Sequence, residues 1–243
     1  MEIHIDGDDW GETRVVDIQR LLDDVAGQLL RHLSDEPKGR IRVQCRPEAN
    51  VPHVLYRNSA DDDYVVWLTA RNRFWAQFAY QFAHEFCHIL SGYDRLRAVP
   101  NKWFHESLCE LASIFTLKQM AVTWLTQPPY PNWREYADSL EGYVDGVITR
   151  DVRHLPDGIT LGQWFHTNES TLRANPLDRD LNGVVAQAML PLFQSNPESW
   201  QTVGYLPDSG EGFARYLSQW KEACPRGIEF APSRIAQIFG IEV

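Results

Sequence analysis

Cysteine is scarce in this chain. Four occur among 243 residues, at 45, 87, 109 and 224, and no two form a Cys-x-x-Cys pair. Thiols so few and so far apart do not make a disulfide scaffold, and a reducing cytoplasm is the expected compartment. Basic residues are also short: 23 Lys and Arg stand against 33 Asp and Glu, a formal net charge of −10. No basic tract reverses that balance, so nucleic acid and anionic membranes are not expected partners. No stretch approaches the roughly eighteen apolar residues that a membrane span needs. The opening MEIHIDGDDW has neither a basic n-region nor an apolar core, so it does not read as a secretory signal. Internal repeats and low-complexity segments are missing as well.

Aromatic residues, by contrast, are plentiful. Nine Trp and eleven Phe within a 44% hydrophobic composition predict a sizeable packed core. The length suits one large domain or two small ones on a shared core. Val15, Ile18, Leu22, Val25 and Leu29 recur at helical spacing within Thr13 to Leu33. Ile41, Val43 and Cys45 alternate with polar residues, as in a strand. His53 to Arg57 and Tyr64 to Thr69 read as two more strands, separated by the turn-like NSADDD run, whose Asp61-Asp62-Asp63 is a solvated turn. Asn72 is a candidate N-cap for a helix that reaches about Ser91, where Gly92 supplies a stop. A second helix is expected from Lys102 to about Thr126, ended by the hinge-like Gln127-Pro-Pro-Tyr-Pro131. Further helices are expected over 132–149, 160–172, 178–194, 211–223 and 232–239. The fold class is therefore α+β: residues 1–126 carry a short mixed sheet, and residues 132–243 form an all-helical half that closes a cleft.

The stretch Phe82-Ala83-His84-Glu85-Phe86-Cys87-His88 carries the chemistry. With His84 at 0° and about 100° per residue, His88 falls near 40° and Gln81 near 60°. Phe78, Ile89, Phe82, Trp75 and Phe86 occupy the opposite side, so the helix is anchored through an apolar back and presents both imidazoles in front. Imidazoles at i and i+4 can converge on one cation at about 2.0–2.1 Å. Glu85 points about 100° away, placed to reach a water at the metal without ligating the ion itself, which is the mechanical content of HExxH. Cys87 lies elsewhere round the helix and reads as packing, and so does Cys109. Two histidines need a third ligand, often a carboxylate in catalytic sites. The next helix, with Trp103-Phe-His-Glu-Ser-Leu-Cys-Glu-Leu-Ala-Ser113, offers Glu106 and Glu110 at i and i+4, opposite an apolar Phe104, Leu108, Leu111 and Phe115 side. Zn²⁺ is the expected cofactor.

HEFCH followed by WFHESLCELAS resembles the gluzincin metallopeptidases, the thermolysin-like proteases and zinc aminopeptidases. The resemblance covers about residues 64–120, with seventeen residues between His88 and Glu106. It implies a zincin-like catalytic half and a zinc-dependent peptidase, with a peptide or protein as substrate. It also implies that Glu106, in a W-x-x-E run, is the third ligand and that Glu110 orients one histidine; the alternative exchanges the two glutamates. Glu85 would then be the general base, taking a proton from the attacking water and delivering it to the leaving amine. The family usually stabilises the oxyanion with a His or Tyr from its helical half. Here the candidates are His154, His166, Tyr143 and Tyr205, with His166, sixty residues after Glu106, taken as the catalytic one. In DRDLNGVVAQAML, Asp180 stands where the aminopeptidases have a tyrosine. The strand YVVWLT is either a substrate-pairing edge or an ordinary interior strand. The ELASIF tail is similar to the repressor-cleaving ImmA/IrrE-type metalloproteases. That similarity supports an alternative reading: a partner-specific or non-proteolytic zinc module.

Overall fold

A computed structural model describes residues 1–7, 9–57, 62–95, 100–210 and 212–243. Part of the NSADDD turn, residues 58–61, and the first residue of the helix expected from 211 lie outside that set. The chain divides into two compact units, Met1–Leu90 with Ala112–Gly146, and Ser91–Leu111 with Val147–Val243.

The first unit is built on four strands: β1 (Glu2–Asp6), β2 (Arg40–Cys45), β3 (His53–Leu55) and β4 (Tyr64–Leu68). Their order is β1-β2-β4-β3, parallel throughout except for the antiparallel β3–β4 pair. Alternation sets the register. Ile3 stands beside Ile41, Ile5 beside Val43, and Val43 beside Val66, so the buried residues of β1, β2 and β4 share one face. The parallel β1–β2 pair needs a crossover, and α1 (Val15–Leu30) supplies it. Its buried stripe is Ile18, Leu21, Leu22, Val25 and Leu29. The YVVWLT strand is interior, paired on both sides, and β3 is the edge beside it. That overturns the edge reading for β4.

The next helix, α2 (Trp75–Leu90), begins later than Asn72. Asn72 is not its cap. It sits at φ 58°, donates its N–H to Trp10 O at 2.8 Å and accepts Glu12 N–H on Oδ1 at 3.0 Å. It therefore braces the segment after β1, and its short polar side chain tolerates the left-handed region. Gly92, at φ 69°, follows the helix as expected. Helix α3 (Lys102–Thr123) stops slightly short of Thr126, and α4 (Ala137–Ile148) follows a 3₁₀ turn at Pro131–Tyr136. One residue ties α1 to the end of α3. Asp24 accepts the indole N–H of Trp124 at 2.7 Å and the carboxamide of Gln28 at 3.1 Å.

The second unit holds α5 (Leu161–Ala174), α6 (Arg179–Ser195), α7 (Phe213–Ala223) and α8 (Phe230–Ile238), together with the start of α3. Thr160 and Gln163 form a capping box on α5, and Asp178 caps α6. The core is aromatic. Trp103 and Phe104 meet Phe213 at 4.8 and 5.0 Å between ring centroids, and Phe239 meets Phe213 at 4.8 Å. Gly162 lets α5 approach the end of α8, since a Cβ there would stand 2.6 Å from the Phe239 carbonyl oxygen. Among the described residues no helix is long and apolar enough to cross a membrane.

Burial raises the pKa of Asp24 despite its two hydrogen bonds. The charged form is therefore disfavoured in the native state, and its stability contribution falls as pH rises through the native pKa. Asp24→Ala, which orphans the buried Trp124 N–H, should cost about 1–3 kcal/mol in urea unfolding. Asp24→Asn keeps an acceptor and should cost less, and its standing relative to the wild type should be best at neutral pH and decline towards acid.

Candidate metal centre

The front of α2 is buried. Gln81, His84 and Glu85 are each less than a tenth exposed, and His88 is half-buried. Each polar group on it needs a partner. Gln81 accepts the N–H groups of Thr69 and Ala70 at 3.0 and 3.1 Å and donates to Thr69 Oγ1 at 2.8 Å. That seals the end of β4 against the helix. One turn on, Glu85 Oε2 accepts the Val54 N–H of the edge strand β3 at 2.8 Å. The general-base candidate is thus fixed in position by a backbone amide.

The His84 and His88 rings lie 5.1 Å apart between centroids, inclined at 71°. Ser113 Oγ donates to the Tyr80 carbonyl at 2.8 Å, which pins α3 to α2 within the first unit. Cys109 lies one turn before Ser113 on the same helix. Its Sγ and one ring nitrogen from each histidine all fall within 4.8 Å of one another. Donors about 2.0–2.3 Å from a tetrahedral ion stand roughly 3.5 Å apart. The donor types suit such an ion, which makes the set a candidate metal site. Among the described residues it is the group of His, Cys and carboxylate side chains whose spacing can hold a metal.

Cys109, read from the sequence as packing, belongs to this set. The signal was available: Cys109 is three residues after Glu106, so the two share a helix face. Glu106 is half-buried there, one helical turn before the thiol. Glu110 has a charged partner of its own. Its carboxylate is ion-paired with Arg153, both nearly fully buried within the second unit. Arg153 also donates from Nε to Asp180 at 3.1 Å. Its chain passes over Gly183, where a Cβ would meet Arg153 Cδ at 2.9 Å. Asp180 therefore holds the guanidinium that neutralises Glu110.

No protein-family model matches the chain, and no curated protein or solved structure is similar to it at a significant level. Three of the four oxyanion candidates, His154, His166 and Tyr205, belong to the second unit. His154 and His166 are exposed, His166 on α5, and Tyr205 is 37% exposed. Tyr143 is half-buried with its ring 5.6 Å from that of Tyr80, one turn before His84. It is the one of the four that the first unit brings to the histidine helix.

Two measurements check these placements. The protein should bind one divalent transition-metal ion per chain. At a free-ion concentration of about 100 Kd this should raise stability by about 2.7 kcal/mol. His84→Ala should abolish the binding and Cys109→Ala should weaken it, as read by equilibrium dialysis. Arg153→Met strips the buried Glu110 of its counter-charge and should destabilise the protein by about 3–5 kcal/mol in chemical denaturation.

Proposed function

We propose that this chain is a zinc-dependent peptidase built on the HExxH helix. His84 and His88 would hold the ion, with a third ligand from the Glu106–Cys109 face of α3. Cys109 is the donor whose sulfur lies within reach, once its thiol has given up its proton. A cysteine in third place departs from the gluzincin pattern, in which Glu106 would ligate, but three protein ligands still leave a position for water. When bound, Zn²⁺ lowers the pKa of a coordinated water to about 7 and polarises a carbonyl.

The observation that carries the reading is Glu85. A structural staple has no use for a carboxylate beside its first histidine, yet Glu85 is buried and aimed by the Val54 amide. A carboxylate held in this place would take a proton from the attacking water and return it to the leaving amine. The strand it touches, β3, is the sheet edge, where an extended substrate backbone can add by β-augmentation. Zinc, peptide hydrolysis and the general-base role rest together on this arrangement.

A second reading follows from Cys109. If Glu106 and Cys109 both ligate, four protein donors close the coordination sphere, as in structural zinc sites. The chain would then be a zinc-stapled module that binds a partner protein.

Glu85→Gln separates the two. It keeps an acceptor for the Val54 amide, so the fold and metal content should persist. In the peptidase, kcat/KM on a peptide library should fall about 10²–10⁴-fold. A wild-type protein that loads cobalt with four protein ligands and cleaves no peptide or protein establishes the closed module.

A further inference from the structure

The first unit contains a cavity away from the histidines. It is a cleft of about 600 Å³ at the amino ends of α1 and α2, walled on one side by the 3₁₀ turn Pro131–Tyr136. His84 is nine residues beyond Trp75, about 14 Å of helical rise, so the cleft is distinct from the metal centre.

The turn determines what the wall presents. At three residues per turn, side chains at i and i+3 eclipse. The sequence PNWREY therefore forms two stripes, Trp133 with Tyr136 and Asn132 with Glu135. The aromatic stripe is half-buried and the polar one exposed. The rings brace one another: Trp133 lies 5.0 Å from Trp75, 5.5 Å from Trp124 and 5.0 Å from Tyr130 between centroids. The Tyr136 hydroxyl accepts the Ala76 N–H at 3.4 Å. The result is a preformed aromatic floor at the start of α2.

The polar groups around it are unused by the fold. The side chains of Glu12, Arg73, Asn132 and Glu135 line the cleft and make no hydrogen bond or ion pair with any described residue. Thr13 Oγ1, also in the lining, is enclosed and has no hydrogen-bond partner. Arg14 is already taken, bonded to both carboxylate oxygens of Asp17 at 2.9 and 2.7 Å.

Charge selects the class of ligand. With Arg14 and Asp17 mutually neutralised, one guanidinium and two carboxylates remain. A phosphate or carboxylate would face Glu12 and Glu135, and a quaternary ammonium would face Arg73. A neutral polyhydroxyl ligand meets neither penalty. Its hydroxyls donate to the carboxylates, accept from the guanidinium, and do both with the carboxamide and the threonine hydroxyl. Its C–H face suits the ring wall. We propose that this cleft is a binding site for a neutral carbohydrate, a short oligosaccharide held between the Tyr130–Tyr136 aromatic wall and the free side chains of Glu12, Arg73, Asn132 and Glu135.

The test is calorimetric titration of the full chain with neutral di- to tetrasaccharides of glucose, xylose, galactose, mannose and N-acetylglucosamine, and with tetramethylammonium and acetate as charged probes. At least one saccharide should bind in the millimolar range or tighter. Its affinity should change less than about twofold between about 0.05 and 0.5 M NaCl. It should fall about tenfold or more in the Asn132→Ala, Glu135→Ala double variant. Both residues are exposed and hold nothing in place, so circular dichroism of that variant should match the wild type. Three results overturn the proposal: no saccharide binds, the double variant binds as well as the wild type, or only a charged probe saturates the cleft with salt-dependent affinity.

Discussion

A helix that buries its polar side must find a partner for every group on it, and α2 is organised by that demand. Its apolar back could be satisfied by almost any packed surface. Its front could not. Gln81 takes the end of β4, Glu85 takes an amide of β3, and the two imidazoles stack edge to face beside the Cys109 sulfur. Losing such partners costs more than the bonds themselves are worth, because the groups remain desolvated. The short sheet thus acts as a frame that holds Gln81 and Glu85 in fixed directions.

The same logic explains what was legible in the chain. The histidine pair, its flanking glutamate and the apolar back follow from helical arithmetic alone, and the structure keeps that geometry. The strands at Arg40–Cys45 and Tyr64–Leu68 follow from alternation. The first strand did not stand out, because Glu2–Asp6 offers only Ile3 and Ile5 as apolar residues and becomes a strand by pairing with β2. The place of β4 inside the sheet is likewise a non-local fact. Asn72 looked like a cap because Asn favours that position, but its side chain serves the backbone near Trp10 and Glu12. Tertiary contact overrode local preference there.

The candidate site shows the same division. Glu106 and Glu110 are equivalent in a helical projection, and nothing local distinguishes them. The structure adds one non-local difference: Glu110 is ion-paired with Arg153, forty-three residues on, whose side chain lies against Gly183 of α6. Cys109 was passed over because buried cysteines are usually inert packing. Its proximity to the two imidazoles, a non-local fact, makes the thiol a candidate ligand.

The chain passes through its two units twice, leaving the first at Leu90, returning within α3 at Ala112, and leaving again after Gly146. No single cut therefore yields either unit intact, and a growing chain cannot complete the first until well past its middle. The residues that pin α3 to α2, Ser113 among them, emerge after the histidines they help to place. Ribosome-bound intermediates should consequently hold the HExxH helix before the contacts that fix α3 beside it can form.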